Sequence, residues 1–394
     1  MENSTQSLFV EINESNYIFF VVEHDNDQNI KLLKKIIVKN GELQNRKFLN
    51  IDVASRLIKE NIQLIEKDLN NIYKDVTIIL DNFDFNCINI SGFKKLNGSQ
   101  ILKDNISFII NTLKQVISKA EKKKTIIHIF NSKSILDGTR VENLPIGLFG
   151  DFYSHQLTFF LMKNNDLKNV KNIFNRNNLN VKKILLKNYC EDTLLIDFKK
   201  EENNFLKLKV NKNYSSISLC INSSPTYLEN FSFGTNIIFK DIEKVCSIDN
   251  EMIKNIFSKN FNNYDNDFVE KEFFVNTNFR KIRKNLIQEI VKARVEEISD
   301  IIFKKNINLK NFYKEKLKIF IYIEDILILK NFKDDFVQSF SKNNSVAEII
   351  EDFEHEDFIR NAVNLSLFGW KKEAVPIIQN KNSLITRIFK SLFG

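Results

Sequence analysis

Glycine and proline are scarce in this sequence of 394 residues, which contains 9 Gly and 3 Pro. Average proteins contain about 7% glycine and about 5% proline. A loop that holds a phosphate group needs glycine, because its backbone N–H groups must approach the phosphate oxygens without a Cβ atom in the way. The deficit therefore weighs against phosphate-binding loops. The sequence also has no low-complexity tract and no short repeat.

Cysteine and histidine are sparse and dispersed. The four cysteines form no Cys-x-x-Cys pair, and their spacing predicts reduced thiols rather than disulfide bonds or a zinc site. They are Cys87, Cys190, Cys220 and Cys246. The four histidines are too far apart for a metal cluster, so we expect no bound metal ion. They are His24, His128, His155 and His355.

Long hydrophobic runs are absent as well. The longest runs, at residues 17–22 and 319–323, fall far below the ~20 residues that a membrane-spanning helix needs. The first residues lack a charged start followed by a long apolar segment, so no secretory signal is predicted. We expect a cytoplasmic protein whose contact with a membrane is peripheral.

The sequence does contain ample apolar material and an excess of positive charge. Hydrophobic residues make up 43% of the chain and include 36 Phe. This is enough for sizeable cores in two or three domains, or in one large bilobed fold. Lys and Arg outnumber Asp and Glu by 58 to 50, and the net charge of +8 suits an anionic partner, either nucleic acid or lipid headgroups.

Short apolar strands alternate with amphipathic helices along the chain. Strand patterns occupy residues 8–12, 17–23, 76–83, 125–130, 156–162, 181–186, 205–210, 216–221 and 317–323. Helical patterns occupy residues 48–70, 104–123, 166–178, 241–245, 250–258, 279–303 and 357–370. The alternation in two similar halves predicts an α/β fold with two lobes.

The last residues of the sequence carry a strong amphipathic pattern, in which six apolar residues at helical spacing share one face. That face consists of Leu384, Ile385, Ile388, Phe389, Leu392 and Phe393, and the opposite face of Thr386, Arg387, Lys390 and Ser391. A helix that closes a domain core can have the same pattern. Here a polar linker (371–382) precedes the segment and its polar face is cationic without an acidic residue, which predicts a membrane-binding helix at 383–394.

Four segments, in order along the chain, carry motifs of one family. Residues 142–152 contain Pro-x-Gly-Leu-x-Gly, residues 249–257 contain Glu-x-Ile-Lys, residues 285–302 contain Arg-x-x-Glu-Ile, and residues 360–370 contain an apolar late helix. The motif positions include Pro145, Gly147, Leu148, Gly150, Arg294, Glu297 and Ile298. Together with the C-terminal helix, these segments resemble FtsA, the actin-like family of bacterial cell division proteins.

The resemblance implies an actin-like fold, which is a bilobed, duplicated RNase H-like α/β fold. It implies a first lobe formed by residues 1–75 and 164–187, with a small SHS2-like α/β subdomain inserted at 76–163. A second lobe would span residues 188–370 and contain a partner-binding subdomain at about 242–315. The late helix at 357–370 would return to the first lobe.

The resemblance also marks where ATP and magnesium would bind in the family, and the sequence departs from the family there. Glu11 matches an acidic position, but the expected Gly-Thr after Ile12 is Asn13-Glu14. At the second hairpin Lys209 stands at the metal-binding Asp, and Asn211, Lys212 and Asn213 replace glycines. A rival register would place Asp197 at the metal position, again with no glycine after it. The adenosine loop reads Glu324-Asp325, and only Gly234 and Lys254 keep the family pattern.

These departures predict a protein with no catalytic residues and no bound ATP, a pseudo-ATPase that assembles at the division ring. The resemblance implies binding of the FtsZ C-terminal tail, through Arg283, Lys284 and Arg294, and self-association into filaments. It also implies binding to other division proteins and to anionic lipids on the cytoplasmic face of the membrane, without nucleic acid. Two alternatives stay open, an active actin-like ATPase that forms ATP-dependent polymers and a basic nucleic-acid-binding protein.

Overall fold

The computed structural model describes residues 5–25, 29–200, 202–259, 261, 267–274, 279–312, 317–341 and 345–374. The strands are β1 (Thr5–Ile12), β2 (Asn16–His24), β3 (Ile30–Lys39), β4 (Leu43–Gln44), β5 (Lys47–Phe48), β6 (Asp75–Leu80), β7 (Phe85–Lys95), β8 (Lys124–Leu136), β9 (Thr139–Val141), β10 (Phe152–Lys163), β11 (Asn180–Leu186), β12 (Phe205–Val210), β13 (Ser215–Ile221), β14 (Ser224–Phe231), β15 (Lys318–Ile323) and β16 (Val346–Ile349). The helices are α1 (Ile51–Leu69), α2 (Lys103–Ala120), α3 (Asn164–Asn175), α4 (Lys187–Phe198), α5 (Asn236–Cys246), α6 (Asn250–Ser258), α7 (Lys284–Asp300), α8 (Ile307–Phe312), α9 (Ile326–Phe340) and α10 (His355–Leu367).

The first sheet has the strand order β11-β6-β1-β2-β3. The predicted hairpin of β1 and β2 is present, and β1 pairs in parallel with β6. The inner strands β1, β2 and β6 are apolar on both faces, as expected when both faces of a sheet are covered. Val10 packs on one face with Ile58 of α1, while Phe9 packs on the other with Ile359 of α10.

The second sheet has the order β14-β13-β12-β15-β16, with β12 and β15 parallel. One face forms a large apolar core with α5, α6, α7 and α9. Helix α4 contacts β13 and β14 of this sheet as well as β11 of the first sheet. Its residues from 188 to 196 are all buried, so this helix lies between the two sheets and has no outward face.

The inserted subdomain has its own sheet, ordered β7-β10-β8-β9, with α2 packed against it. We predicted that this subdomain starts at residue 76, and this boundary is wrong. Val76 is in β6, which pairs with β1 and β11 at the centre of the first sheet. The apolar run of β6 is needed in that sheet because both of its faces are covered there. The four-stranded sheet begins at Phe85.

The chain returns to the first sheet near its C-terminal end. Helix α10 contacts α4, β11 and β3, and its apolar side chains join the core on that face. The segment that follows does not begin as a polar linker, contrary to our prediction of a linker at 371–382. Glu373 forms a β-bridge with Phe130. Ala374 is buried in the same core as the apolar side chains of α2, and its N–H donates to the Ile129 carbonyl.

The remainder of the predicted linker and the whole predicted membrane helix at 383–394 lie outside the described residues. In the part of the chain that is described, no helix is both long and apolar enough to cross a membrane. Helix α7 starts at Lys284 rather than at residue 279 as predicted, and a π-helical turn at 301–305 extends it.

Candidate functional site

The parallel strands of the two main sheets end at facing edges. In the first sheet β1, β6 and β11 end together, with Ile12 opposite Leu80 and Leu80 opposite Leu186. In the second sheet β12 and β15 end together, with Val210 opposite Ile323. Ligands of open α/β sheets bind at the carboxyl ends of such strands, so the candidate site lies here.

The first group of charges in the site is centred on Lys187, the first residue of α4. Its Nζ lies 2.6 Å from Oε1 of Glu11 and 3.5 Å from Oδ2 of Asp81, and both carboxylates are buried. Tyr214 donates its hydroxyl to Asp81, and Asn13 donates its amide to Glu11. Burial opposes the charged ammonium, but the nearby carboxylates outweigh burial and hold the pKa of Lys187 well above its usual value.

The second group of charges joins α4 to β12. Lys209 Nζ lies 2.7 Å from Oε1 of Glu191, and Lys207 Nζ lies 2.9 Å from Oε2 of Glu191 and 2.8 Å from Oδ1 of Asp192. Ser218 donates its hydroxyl to Asp192. Burial opposes the ionised form of Glu191, but the two lysines outweigh burial, so the pKa of this carboxyl lies below its usual range.

We call these seven side chains the cleft network. It contains three ammonium groups and four carboxylates, and its members are Glu11, Asp81, Lys187, Glu191, Asp192, Lys207 and Lys209. Lys207 is only 2% exposed. A buried charge is tolerated when it is paired and hydrogen-bonded, and here each lysine contacts at least one carboxylate. The network therefore balances three of its four carboxylates with ammonium groups of the protein itself.

The first turn of the site, between β1 and β2, uses its hydrogen-bond donors internally. Asn13 Oδ1 accepts from the N–H of Ser15 at 3.0 Å and from that of Asn16 at 2.7 Å. The N–H of Asn13 itself donates to the carbonyl of Asn16. Glu14 adds a carboxylate to the same turn and accepts from Asn82 at 3.4 Å. The side chain of Asn13 thus accepts the backbone N–H groups that would otherwise be able to donate to a bound anion.

The second turn, between β12 and β13, is also closed by the chain. Asn211 donates to the carbonyl of Tyr214, and Lys212 donates its backbone N–H to Oε2 of Glu324 at 2.9 Å. Gly234 lies against this turn, and a Cβ atom built there would come within 2.2 Å of the Asn211 carbonyl oxygen. The glycine is needed for close packing of two backbone segments.

The other residues predicted for the nucleotide site lie on different elements and have other partners. Asp325 accepts from the first N–H groups of α9 and caps that helix. Lys254 is exposed on α6, and Asn213 is exposed and accepts from Asn236. Asp197, the alternative metal position of the rival register, lies in α4 and not in the β12–β13 hairpin that contains Lys209.

These residues do not fit a magnesium nucleotide. Magnesium needs carboxylate oxygens or substrate oxygens, but Glu11 and Asp81 are already paired with Lys187, and Lys209 places an ammonium at the predicted metal position. Phosphate needs free donors, and five backbone N–H groups of the two turns, those of Asn13, Ser15, Asn16, Asn211 and Lys212, are used within the chain. The Nδ2 group of Asn211 is buried without a hydrogen-bond partner. Across the described residues, no group of three or more His, Cys, Asp or Glu side chains is arranged to hold a metal ion.

The three residues predicted to bind a partner are not equivalent in the structure. Lys284 is buried and its Nζ lies 2.9 Å from Oε1 of Glu270. Arg294 is bound to Asp241 and Glu297 through its guanidinium group. Both are engaged within their own subdomain, so neither presents an available charge, contrary to our prediction. Arg283 is exposed at the start of α7. The predicted lipid-binding residues, from Leu384 to Phe393, lie outside the described residues.

Several residues of the site were not predicted from the sequence. They are Asp81, Lys187, Glu191, Asp192, Lys207 and Tyr214. A signal for some of them was present, because Lys207 and Lys209 alternate with leucine in β12 while an adjacent acidic pair stands in the middle of α4. The alternation has the pattern of a strand with one solvated face, and only the position of α4 shows that this face is buried.

Comparisons with known proteins agree with this architecture. No protein-family model matches the chain. It is 20% identical over 317 residues to the cell division protein FtsA of Buchnera aphidicola subsp. Schizaphis graminum, covering 78% of the chain and 75% of that relative.

Among solved structures, the chain is similar to one of a PilM-PilN type IV pilus biogenesis complex, with a TM-score of 0.56 and 11% identity over 92% of the chain and 98% of the other. MreB 5 of Spiroplasma citri bound to AMPPNP matches with a TM-score of 0.47 and 10% identity, over 91% and 96% of the two chains. The similarity to the PilM-PilN structure, together with the match to an FtsA, identifies the fold as the actin-like α/β fold.

Proposed function

We propose that this chain, an FtsA-like protein of the actin-like fold, acts in bacterial cell division as a scaffold that does not hydrolyse ATP. In this proposal it gathers at the division ring, binds FtsZ and holds FtsZ to the cytoplasmic face of the membrane. The similarity to an FtsA over 317 residues supports the place in cell division. The cleft network is the observation that supports a role without nucleotide.

The charges in the cleft oppose the binding of Mg-ATP. Inserting magnesium between Glu11 and Asp81 would require Lys187 to leave two carboxylates, one of them 2.6 Å away. Lys209 would then meet the metal ion with a charge of the same sign. Glu324 at the second turn would meet a triphosphate with like charge. Each of these interactions opposes binding of Mg-ATP. The proposed scaffold does not need ATP.

We expect no saturable binding of Mg-ATP at nucleotide concentrations up to about 1 mM, which corresponds to a binding free energy of only about −4 kcal/mol. Isothermal titration calorimetry with the full chain measures it, and a phosphate-release assay measures hydrolysis. A nucleotide-binding protein of the actin fold serves as the positive control.

The variant Asn13→Gly/Glu14→Thr restores the family residues at the first turn only. It should remain without ATP binding, because the lysines and the second turn are unchanged. Saturable binding of Mg-ATP in the micromolar range by the unaltered chain would overturn the proposal of a nucleotide-free scaffold.

The surface proposed for the FtsZ tail differs from the predicted one and keeps only Arg283 of the three predicted residues. Arg280, Lys281 and Arg283 are exposed before and at the start of α7, and Lys281 Nζ lies 5.0 Å from the ring centre of Phe268. An acidic tail would gain association rate from this basic surface. Lys284 belongs to the fold through its pair with Glu270, so its reversal would test stability instead of binding.

We expect Lys281→Glu/Arg283→Glu to weaken capture of an FtsZ tail peptide by about tenfold, with a larger effect at low salt. Fluorescence anisotropy of a labelled tail peptide measures the affinity. Lys244→Glu/Lys254→Glu is the matched control, because these exposed lysines on α5 and α6 give the same change in net charge. Equal affinity in both double variants and the unaltered chain would remove this surface from the proposal.

The inserted subdomain offers a surface for the proposed self-association. Large apolar side chains are exposed on it, and Phe93 and Phe152 stack at 5.4 Å. The exposed set also includes Leu102, Phe108, Leu144, Ile146, Leu148 and Phe149. Large apolar side chains that remain exposed to solvent are common at protein–protein contacts. This surface supports assembly of copies of the chain, which the proposed scaffold needs.

A further inference from the structure

A second cleft lies where the inserted subdomain meets the second sheet, away from the cleft network. We call it the lateral cleft. It encloses ≈ 520 Å³ and is lined by residues of β8 and β9, by the residues after β9, by Asn203 and by the turn before β14 at residues 222–223. The chain segment after α10 completes it with Lys371 and Lys372. None of its lining residues belongs to the cleft network.

The lateral cleft is strongly cationic. Lys133, Arg140 and Lys371 are exposed, and no ion pair joins them to a carboxylate within the described ranges. Lys372 donates from Nζ to the carbonyl oxygen of Glu142 at 3.0 Å. Burial, followed by the charges of Lys371 and Arg140, lowers the pKa of Lys372. Glu142 contributes one carboxylate to the same lining, so the four cations leave an excess of positive charge in a common space, which favours an anionic ligand.

The edge of β8 is interrupted inside this cleft. Strand β9 pairs with residues 134–136 of β8, and the segment before Ala374 pairs with residues 129–131. Ser132 and Lys133 lie between these two pairings and line the cleft. An extended peptide can approach such a strand edge and add hydrogen bonds to it.

The polar side chains of the cleft distinguish a peptide from a phosphate. Phosphate accepts hydrogen bonds only, whereas a peptide backbone both donates and accepts. Asn131, Asn143 and Asn222 line the cleft with amide groups, which also do both. The Oδ1 atom of Asn131 is buried beside the cleft and has no hydrogen-bond partner, so an acceptor there is unsatisfied.

We infer that the lateral cleft binds an extended acidic segment of a partner protein. The cations attract its Asp or Glu side chains, and the amides and the open part of the β8 edge bind its backbone. This inference does not rest on the proposed function, since it holds whether or not the chain binds nucleotide or FtsZ.

The test is fluorescence anisotropy with a labelled peptide of alternating Glu and Ser, beside the same peptide with Gln for every Glu. We expect the full chain to bind the acidic peptide and to bind the Gln peptide at least about tenfold more weakly. Lys133→Glu/Arg140→Glu should weaken binding of the acidic peptide by about tenfold or more. Lys95→Glu/Lys119→Glu makes the same charge change at exposed positions of the same subdomain and should leave the affinity within about twofold.

Three results would overturn the inference. Equal losses in the two double variants would mean that the peptide senses only the net charge of the protein. Equal binding of the acidic and Gln peptides would remove the role of the cations. Displacement of the peptide by inorganic triphosphate at an equal concentration would assign the cleft to phosphate ligands instead.

Discussion

Replacing Lys207 by Met is expected to lower the free energy of unfolding by about 3–5 kcal/mol. The methionine fills a similar volume but leaves Asp192 without its ammonium partner in a site that is almost fully buried. Glu191 keeps Lys209, so the loss falls mainly on one carboxylate. Chemical denaturation followed by circular dichroism measures the change.

Two further variants serve as controls for the effect of Lys207→Met. Lys304→Met removes a cation from an exposed pair with Asp300 and should cost less than about 1 kcal/mol. Adding Asp192→Asn to Lys207→Met should recover part of the loss, because the uncompensated charge is gone while Ser218 can still donate to residue 192. If Lys207→Met and Lys304→Met cost the same, Lys207 does not stabilise the buried carboxylates.

The pH dependence has a definite sign. Because the pKa of Glu191 is lowered in the folded protein, its stabilising contribution is present above the ordinary glutamate range of about 4 and is lost as the pH falls through the folded-state value. Lys207 is the largest of the charges that lower the pKa of Glu191, and at Asp192 it opposes burial, which raises the pKa of that carboxyl. Its removal costs stability only while these carboxylates are ionised, so the gap in stability between the unaltered chain and Lys207→Met should narrow in acid.

Phe389→Glu is expected to release the chain from anionic vesicles. In the proposed function, Phe389 lies in the middle of the apolar face at 383–394, where its side chain would enter the lipid interface. Burial of apolar area stabilises binding by about 25 cal/mol per Å². Arg387 and Lys390 would add roughly 1 kcal/mol each near an anionic surface. A glutamate in that face removes apolar area and adds a charge of the wrong sign.

Sedimentation with vesicles containing anionic lipid measures the effect. Ser391→Glu is the matched control, because it adds the same charge on the opposite, polar face of the predicted helix and should reduce binding much less. One segment binds weakly by itself, so the difference should be largest for assembled protein, where many segments act together. Continued sedimentation of Phe389→Glu, or of a chain shortened after Asn380, would place the membrane contact elsewhere.

Most elements of the first lobe were predictable from sequence, because they have simple patterns, but β3 was not predicted because lysines interrupt its apolar residues. The hairpin of β1 and β2 reads as two apolar runs around a polar turn, and α1 and α3 have apolar residues at helical spacing. The position of β6 was harder. A strand that is covered on both faces has no alternation of polar and apolar residues to indicate which sheet it joins. Strand β6 was therefore assigned to the inserted subdomain instead of the first sheet.

Helix α4 was missed for a related physical reason. Amphipathic spacing marks a helix with one exposed face, and α4 is buried around most of its circumference. The charged residues that it carries, Glu191 and Asp192, look like surface residues in sequence. Their partners in β12 are close in space but 15 or more residues away, so the cleft network becomes visible only when α4 and the second sheet are placed together.

The lysines of the cleft network act as counterions that are covalently part of the chain, so dilution does not remove them. When a fold depends on a bound ligand, its stability varies with the free ligand concentration through mass action. The carboxylates at the junction of the two sheets meet Lys187, Lys207 and Lys209, whose local concentration is fixed by covalent bonds. The packing of the two sheets through α4 should therefore be indifferent to dialysis, to chelators and to changes in the nucleotide supply of the cell.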